Sequence, residues 1–153
     1  MNVKRNTLRY FICAVMSINF FGCFSQKNFQ YYEKALTEEC SNCTTSQMND
    51  FLLKRCFEKD SIISVTYSNF SKKINNKMAN SDSSYRSELV AMHSELDFAY
   101  EAWNKLKKTC VKSYASLANG GTIQPVYYGL MYWMISDQQL DFLRIFMETA
   151  FGG

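Results

Sequence analysis

From Tyr85 the apolar residues fall at Tyr85, Leu89, Met92, Leu96, Ala99, Trp103, Leu106 and Cys110, in alternating steps of four and three. Only an α-helix gathers such positions on one face, and a helix with one apolar stripe is stable only against a partner. The spacing is that of helices packed about 20° apart in a bundle. The chain must therefore hold at least one more helix of similar length. Upstream, Met48, Leu52, Cys56, Ile63, Tyr67, Phe70, Ile74 and Met78 give a second stripe, which predicts a helix from about Thr44 to about residue 79. Thr44, Thr45 and Ser46 offer hydroxyl caps at its start.

Punctuation between the stripes fits the same architecture. The polar run 80–84 turns the chain back antiparallel, and Asn119-Gly120-Gly121 stops the second long helix, since Asn and Gly accept the left-handed backbone of helix C-termini. Pro125, the only proline, suits the first turn of a last helix. Residues 126–134 are apolar almost all round and require burial against both earlier helices. Ser136-Asp137-Gln138-Gln139 is a capping-box pattern and predicts a break or restart there. A short helix is expected around Phe29 to Leu36. Sixteen per cent aromatic residues with six glycines also favour long regular elements. The fold class is all-α: a small antiparallel bundle of three to four helices.

Residues 1–22 read as an export signal: Lys4, Arg5 and Arg9 precede an apolar run from Tyr10, shorter than the ~20 residues of a membrane span. Phe20-Phe21-Gly22-Cys23 resembles a lipobox, which makes Cys23 the expected lipidation site and anchors the product in the periplasm or at the outer membrane of the bacterial envelope; the alternative is ordinary cleavage after Cys23-Phe24-Ser25, and either way the product is exported. Residues 23–39 form a partly helical tether and 40–150 the helical domain. Without the three basic residues of the leader, fourteen Lys and Arg face fourteen Asp and Glu, a balance with no footprint for nucleic acid.

Cys40, Cys43, Cys56 and Cys110 follow the leader. An even count in an exported domain reads as two disulfides, with three possible connectivities, that staple a small bundle. A four-thiolate zinc site is the rival, but Cys56 and Cys110 fall on different helices with no close pair. Neither metal nor cofactor is expected. Asp60 lies in the first stripe, where an unpaired carboxylate is costly and needs a cationic or hydrogen-bonding partner. The single histidine, His93, sits beside the second stripe as a surface or boundary residue on an ordinary helical face, so that, although serines are many, no plausible nucleophile-base pair is recognised. The paired carboxylates Glu38/Glu39 and Glu95/Asp97 are adjacent or directed to different helix faces, and Gly120-Gly121 lacks the lysine and preceding strand of a phosphate-cradling loop, so no enzyme and no small-molecule substrate are expected.

Four pieces in order resemble the lysozyme inhibitor LprI-like family of small exported helical proteins. They are Cys40 through Asn49 with its Thr-rich turn, Asp60 with Ile63 and Tyr67, Trp103 with Lys107 and Cys110, and Gly120-Gly121-Thr122 with Pro125. By this resemblance the family's second cysteine falls at Phe51, the cysteine after the glycine turn at Met131, and a basic residue of the last helix at Gln139. It implies that Cys110 is bridged to Cys43 or Cys56, the favoured reading, or else stays free, that Lys107 serves Asp60, and that Asp60, Tyr67, Trp103, Lys107, Gly120, Gly121 and Thr122 are structural. It further implies a non-enzymatic binding protein that inhibits lysozyme by occlusion, with residues Asn119, Gly120, Gly121, Thr122, Ile123 and Gln124 as the expected contact turn. The alternative is a structural or interaction lipoprotein of the envelope without lysozyme activity.

Overall fold

The computed structural model describes residues 28–116 and 121–151. The leader, Cys23, Asn119 and Gly120 lie outside them. Four helices follow one another: α1 Phe29–Glu39, α2 Thr45–Ala79, α3 Ser83–Ala115 and α4 Gln124–Phe151. No strand occurs among the described residues, and no helix there is long and apolar enough to cross a membrane.

Polar side chains start the helices. Asn28 accepts from the Tyr31 amide at the head of α1. Thr44 opens α2 in a reciprocal capping box, its hydroxyl taking the Gln47 amide while the Gln47 side chain takes the Thr44 amide at 2.8 Å. Asp82 accepts from the Tyr85 amide at 2.8 Å and starts α3. The turn between α2 and α3 is closed by Arg86, whose guanidinium donates to the Met78 and Ser81 carbonyls.

Packing centres on α4, which touches α1, α2 and α3, most extensively α2. Two apolar clusters result. The larger joins Ile63, Phe70 and Ile74 of α2, Leu89, Leu96 and Ala99 of α3, and Leu140, Phe142 and Leu143 of α4. Phe70 stands edge-on to both Phe146 and Phe151 within it. The smaller cluster clasps Tyr32, Leu36 and Cys40 of the α1 end against Leu52, Val126 and Leu130. Burying side chains of this kind contributes roughly 1.5–3 kcal/mol each.

Three expectations need correction. The α3 stripe does not continue to Leu106 and Cys110: Leu106 is exposed, whereas Lys107 and Val111 face inward. A strict four-three alternation averages 3.5 residues per turn, so on a 3.6-residue helix the inner face drifts by about 20° per heptad. Secondly, α4 is unbroken through Ser136 and Gln139, which are fully buried against the bundle. A side chain turned inward cannot cap, and the motif there is a buried polar step instead.

Thirdly, Cys40, Cys43, Cys56 and Cys110 are all free thiols, so the expected staple is not formed and no disulfide occurs among the described residues. Cys56 points across to α4, its thiol 3.8 Å from the Gly129 carbonyl oxygen. Cys110 lies beside the inward Val111 and is only partly covered. Cys40 and Cys43 meet each other in the turn after α1, where a shared hydrogen bond, with burial second, pushes the Cys40 thiol up to about 11.

Candidate functional site

Gly129 decides how closely α2 and α4 approach. A Cβ added there would lie 2.6 Å from the Leu52 Cβ, so only glycine permits the crossing. Beside it the helices leave a cleft of about 600 Å³. Leu53, Phe57 and Tyr128 form its apolar rim, Gln124 and Pro125 its far edge, and Asp60 and Tyr132 its polar end. Phe57 is 67% and Leu53 57% exposed.

Helical spacing delivers these groups. Leu53 and Phe57 are one turn apart on α2, as are Tyr128 and Tyr132 on α4, whose rings stack at 6.2 Å. Between the pairs, Asp60 is held on both oxygens. Lys107 of α3 donates to Oδ1 at 2.7 Å and the Tyr132 hydroxyl to Oδ2 at 2.6 Å. Lys107 also stands 4.6 Å over the Tyr132 ring. The partner that Asp60's place in the apolar stripe demanded is thus supplied twice. Tyr132 was not singled out in the sequence; its only signal was a hydroxyl in a nearly all-apolar run.

This constellation ties α2, α3 and α4 together through one carboxylate. Both oxygens of Asp60 are occupied by donors. Tyr132 keeps its proton because burial, then the hydrogen bond to Asp60, raise its pKa far above the ordinary phenol. Burial likewise pushes the Cys56 thiol up to about 12, with the Asp60 charge adding to it and Lys107 opposing, so no thiolate is present at neutral pH. Among the described residues no group of three His, Cys, Asp or Glu could hold a metal ion.

The other sequence-selected residues are dispersed. Tyr67 donates its hydroxyl to Asp97 and stacks on Tyr100, well along the bundle from the cleft. Trp103 packs on Phe142 with ring centroids 6.0 Å apart, inside the larger cluster. Of the expected contact turn, Gly121, Thr122 and Ile123 are exposed, and Gln124 reaches the cleft wall. The turn and the cleft therefore adjoin. His93, expected as a surface or boundary residue, is hydrogen-bonded to Ser71 of the neighbouring helix. No family model, no curated protein and no solved structure matches the chain.

Proposed function

We propose that the chain is an exported, non-enzymatic binding protein of the bacterial envelope, anchored through Cys23, that works by occlusion. The rim of the α2–α4 cleft, with the adjoining residues 121–124, seats on a partner protein. The resemblance to the lysozyme inhibitor LprI-like family makes lysozyme the first partner to test. The observation that carries the reading is the rim itself. Single exposed apolar side chains are ordinary, but Leu53, Phe57 and Tyr128 surround one concavity with a polar end, the makings of an anchor site.

In the test, the purified exported protein at micromolar concentration is added to lysozyme acting on cell walls. Lysis should slow, and the double variant Leu53→Ser/Phe57→Ser should lose the effect while melting as the parent does. No slowing by the parent sinks the lysozyme assignment and favours an envelope interaction module. Full inhibition by the double variant sinks the cleft as the contact surface. Intact mass of the exported protein reads lipidation at Cys23 directly.

A further inference from the structure

About three turns of α2 beyond Asp60, on the side facing α3, a second set of polar groups meets that the binding reading does not use. Ser71 Oγ lies 2.6 Å from His93 Nε2. On the other side of the imidazole, Nδ1 lies 3.7 Å from Asp97 Oδ2. The second oxygen of Asp97 accepts from the Tyr67 hydroxyl. Helical spacing explains the set, since Tyr67 and Ser71 are one turn apart on α2, as are His93 and Asp97 on the antiparallel α3.

The order of groups is nucleophile, base and orienting carboxylate. A carboxylate beside Nδ1 favours the tautomer with its proton there, leaving the Nε2 lone pair to accept from the Ser71 hydroxyl. Tyr67 stays a donor to Asp97, its hydroxyl pushed up to about 12 by burial and then by that hydrogen bond. Access exists: the His93 side chain is 26% exposed and Ser71 is only partly covered. One component of a hydrolase is missing. Ser71 lies within α2, where its amide is spent on the helix ladder, so no oxyanion hole forms on the nucleophile's own backbone.

We propose that Ser71 is a covalent acyl-acceptor site, with His93 as its general base and Asp97 as the residue positioning His93. The donor is an activated ester. Ser71 Oγ forms a bond to the ester carbonyl carbon as its proton passes to His93 Nε2. The adduct collapses with loss of the bond to the leaving alcohol, and His93 returns the proton to that oxygen. The products are a Ser71 ester and a free alcohol. The activated leaving group lets this first step proceed without an oxyanion donor from the Ser71 amide, whereas water attack on the Ser71 ester must expel a poor alkoxide and is slow, so the reaction stops after one equivalent. The site lies apart from the cleft and stands or falls independently of lysozyme binding.

The full chain is incubated with p-nitrophenyl acetate, nitrophenolate release is followed, and the acetyl group is located by peptide mass spectrometry. One acetyl group per chain is expected at Ser71, and none there in Ser71→Ala. His93→Gln should slow the labelling by about 100-fold, the lower range for a general base. Asp97→Glu, which keeps the carboxylate, should label within a few-fold of the parent, whereas Asp97→Asn should not; a merely structural Asp97 would not separate the two. Acetyl groups spread over lysines with Ser71 unmodified would overturn the proposal, as would an unchanged rate in His93→Gln. Mapping on the unaltered chain decides the matter even where a variant does not fold.

Discussion

At the scale of single residues, the Asp60–Lys107 pair is unequal, and the inequality makes a prediction. The Lys107 side chain is 3% exposed, while that of Asp60 is 43% exposed. Removing the carboxylate leaves a buried ammonium with only the face of Tyr132 beneath it, whereas removing the ammonium leaves a carboxylate that water can reach and that keeps its Tyr132 donor. Asp60→Ala should therefore cost about 3 kcal/mol, the lower range for stranding a buried charge. Lys107→Met, which keeps the apolar stem, should cost about 1 kcal/mol or less. Urea denaturation of both variants tests the order, and equal losses would show that the burial difference does not govern the pair. The need for a partner was legible in the sequence because Asp60 interrupts an apolar stripe. That Tyr132 shares the carboxylate was not, because it depends on how α4 is rotated against α2.

At the scale of elements, α2 and α4 cross closely at Gly129, facing Leu52. Glycine inside a helix ordinarily costs about 1 kcal/mol relative to alanine, so helix propensity alone favours Gly129→Ala. The added methyl would meet the Leu52 Cβ at 2.6 Å, an atom fixed to the backbone that cannot swing away. The helices must separate, which moves Leu52 and Leu130 out of the smaller cluster and loosens the wall of the cleft. A net destabilisation of about 1–3 kcal/mol is expected, as for other overpacked cores. A higher melting temperature for the variant would mean that the crossing yields easily. Helix starts were readable from local chemistry, as Thr44 shows, because a cap depends on residues three positions away. The crossing was not readable, since nothing near Gly129 in sequence records that Leu52 faces it.

At the scale of the whole molecule, the two apolar clusters are joined through a polar middle: Asp60 on α2, Lys107 and Asn104 on α3, and Tyr132 and Gln139 on α4. The all-helical class followed from stripe spacing, yet the same spacing placed Leu106 rather than Lys107 inside, because a few tenths of a residue per turn accumulate over a long helix. Ser71 and His93 were invisible as a pair for a related reason, being brought together only by the register of two antiparallel helices. Groups that resist ionisation are spread over all these regions. Cys40 in the smaller cluster is pushed up to about 11, Cys56 at the polar middle to about 12, and Tyr67 beside the larger cluster to about 12, while Tyr32 and Tyr132 are raised further still. Each holds its proton more tightly folded than unfolded. Below about pH 8 both states are protonated at these groups and the contribution to stability is complete. As pH rises from there, the unfolded chain releases protons first, at its thiols and then its phenols, and stability falls progressively toward about pH 12. Melting temperature should be level from neutrality to about pH 8 and then decline, before ordinary lysines lose charge near about 10.4. Cys56→Ala should flatten the early part of that decline, because the thiol whose ionisation is most strongly opposed by burial is gone. A melting curve level to about pH 11 would show that these thiols are no harder to ionise in the folded bundle than in the unfolded chain.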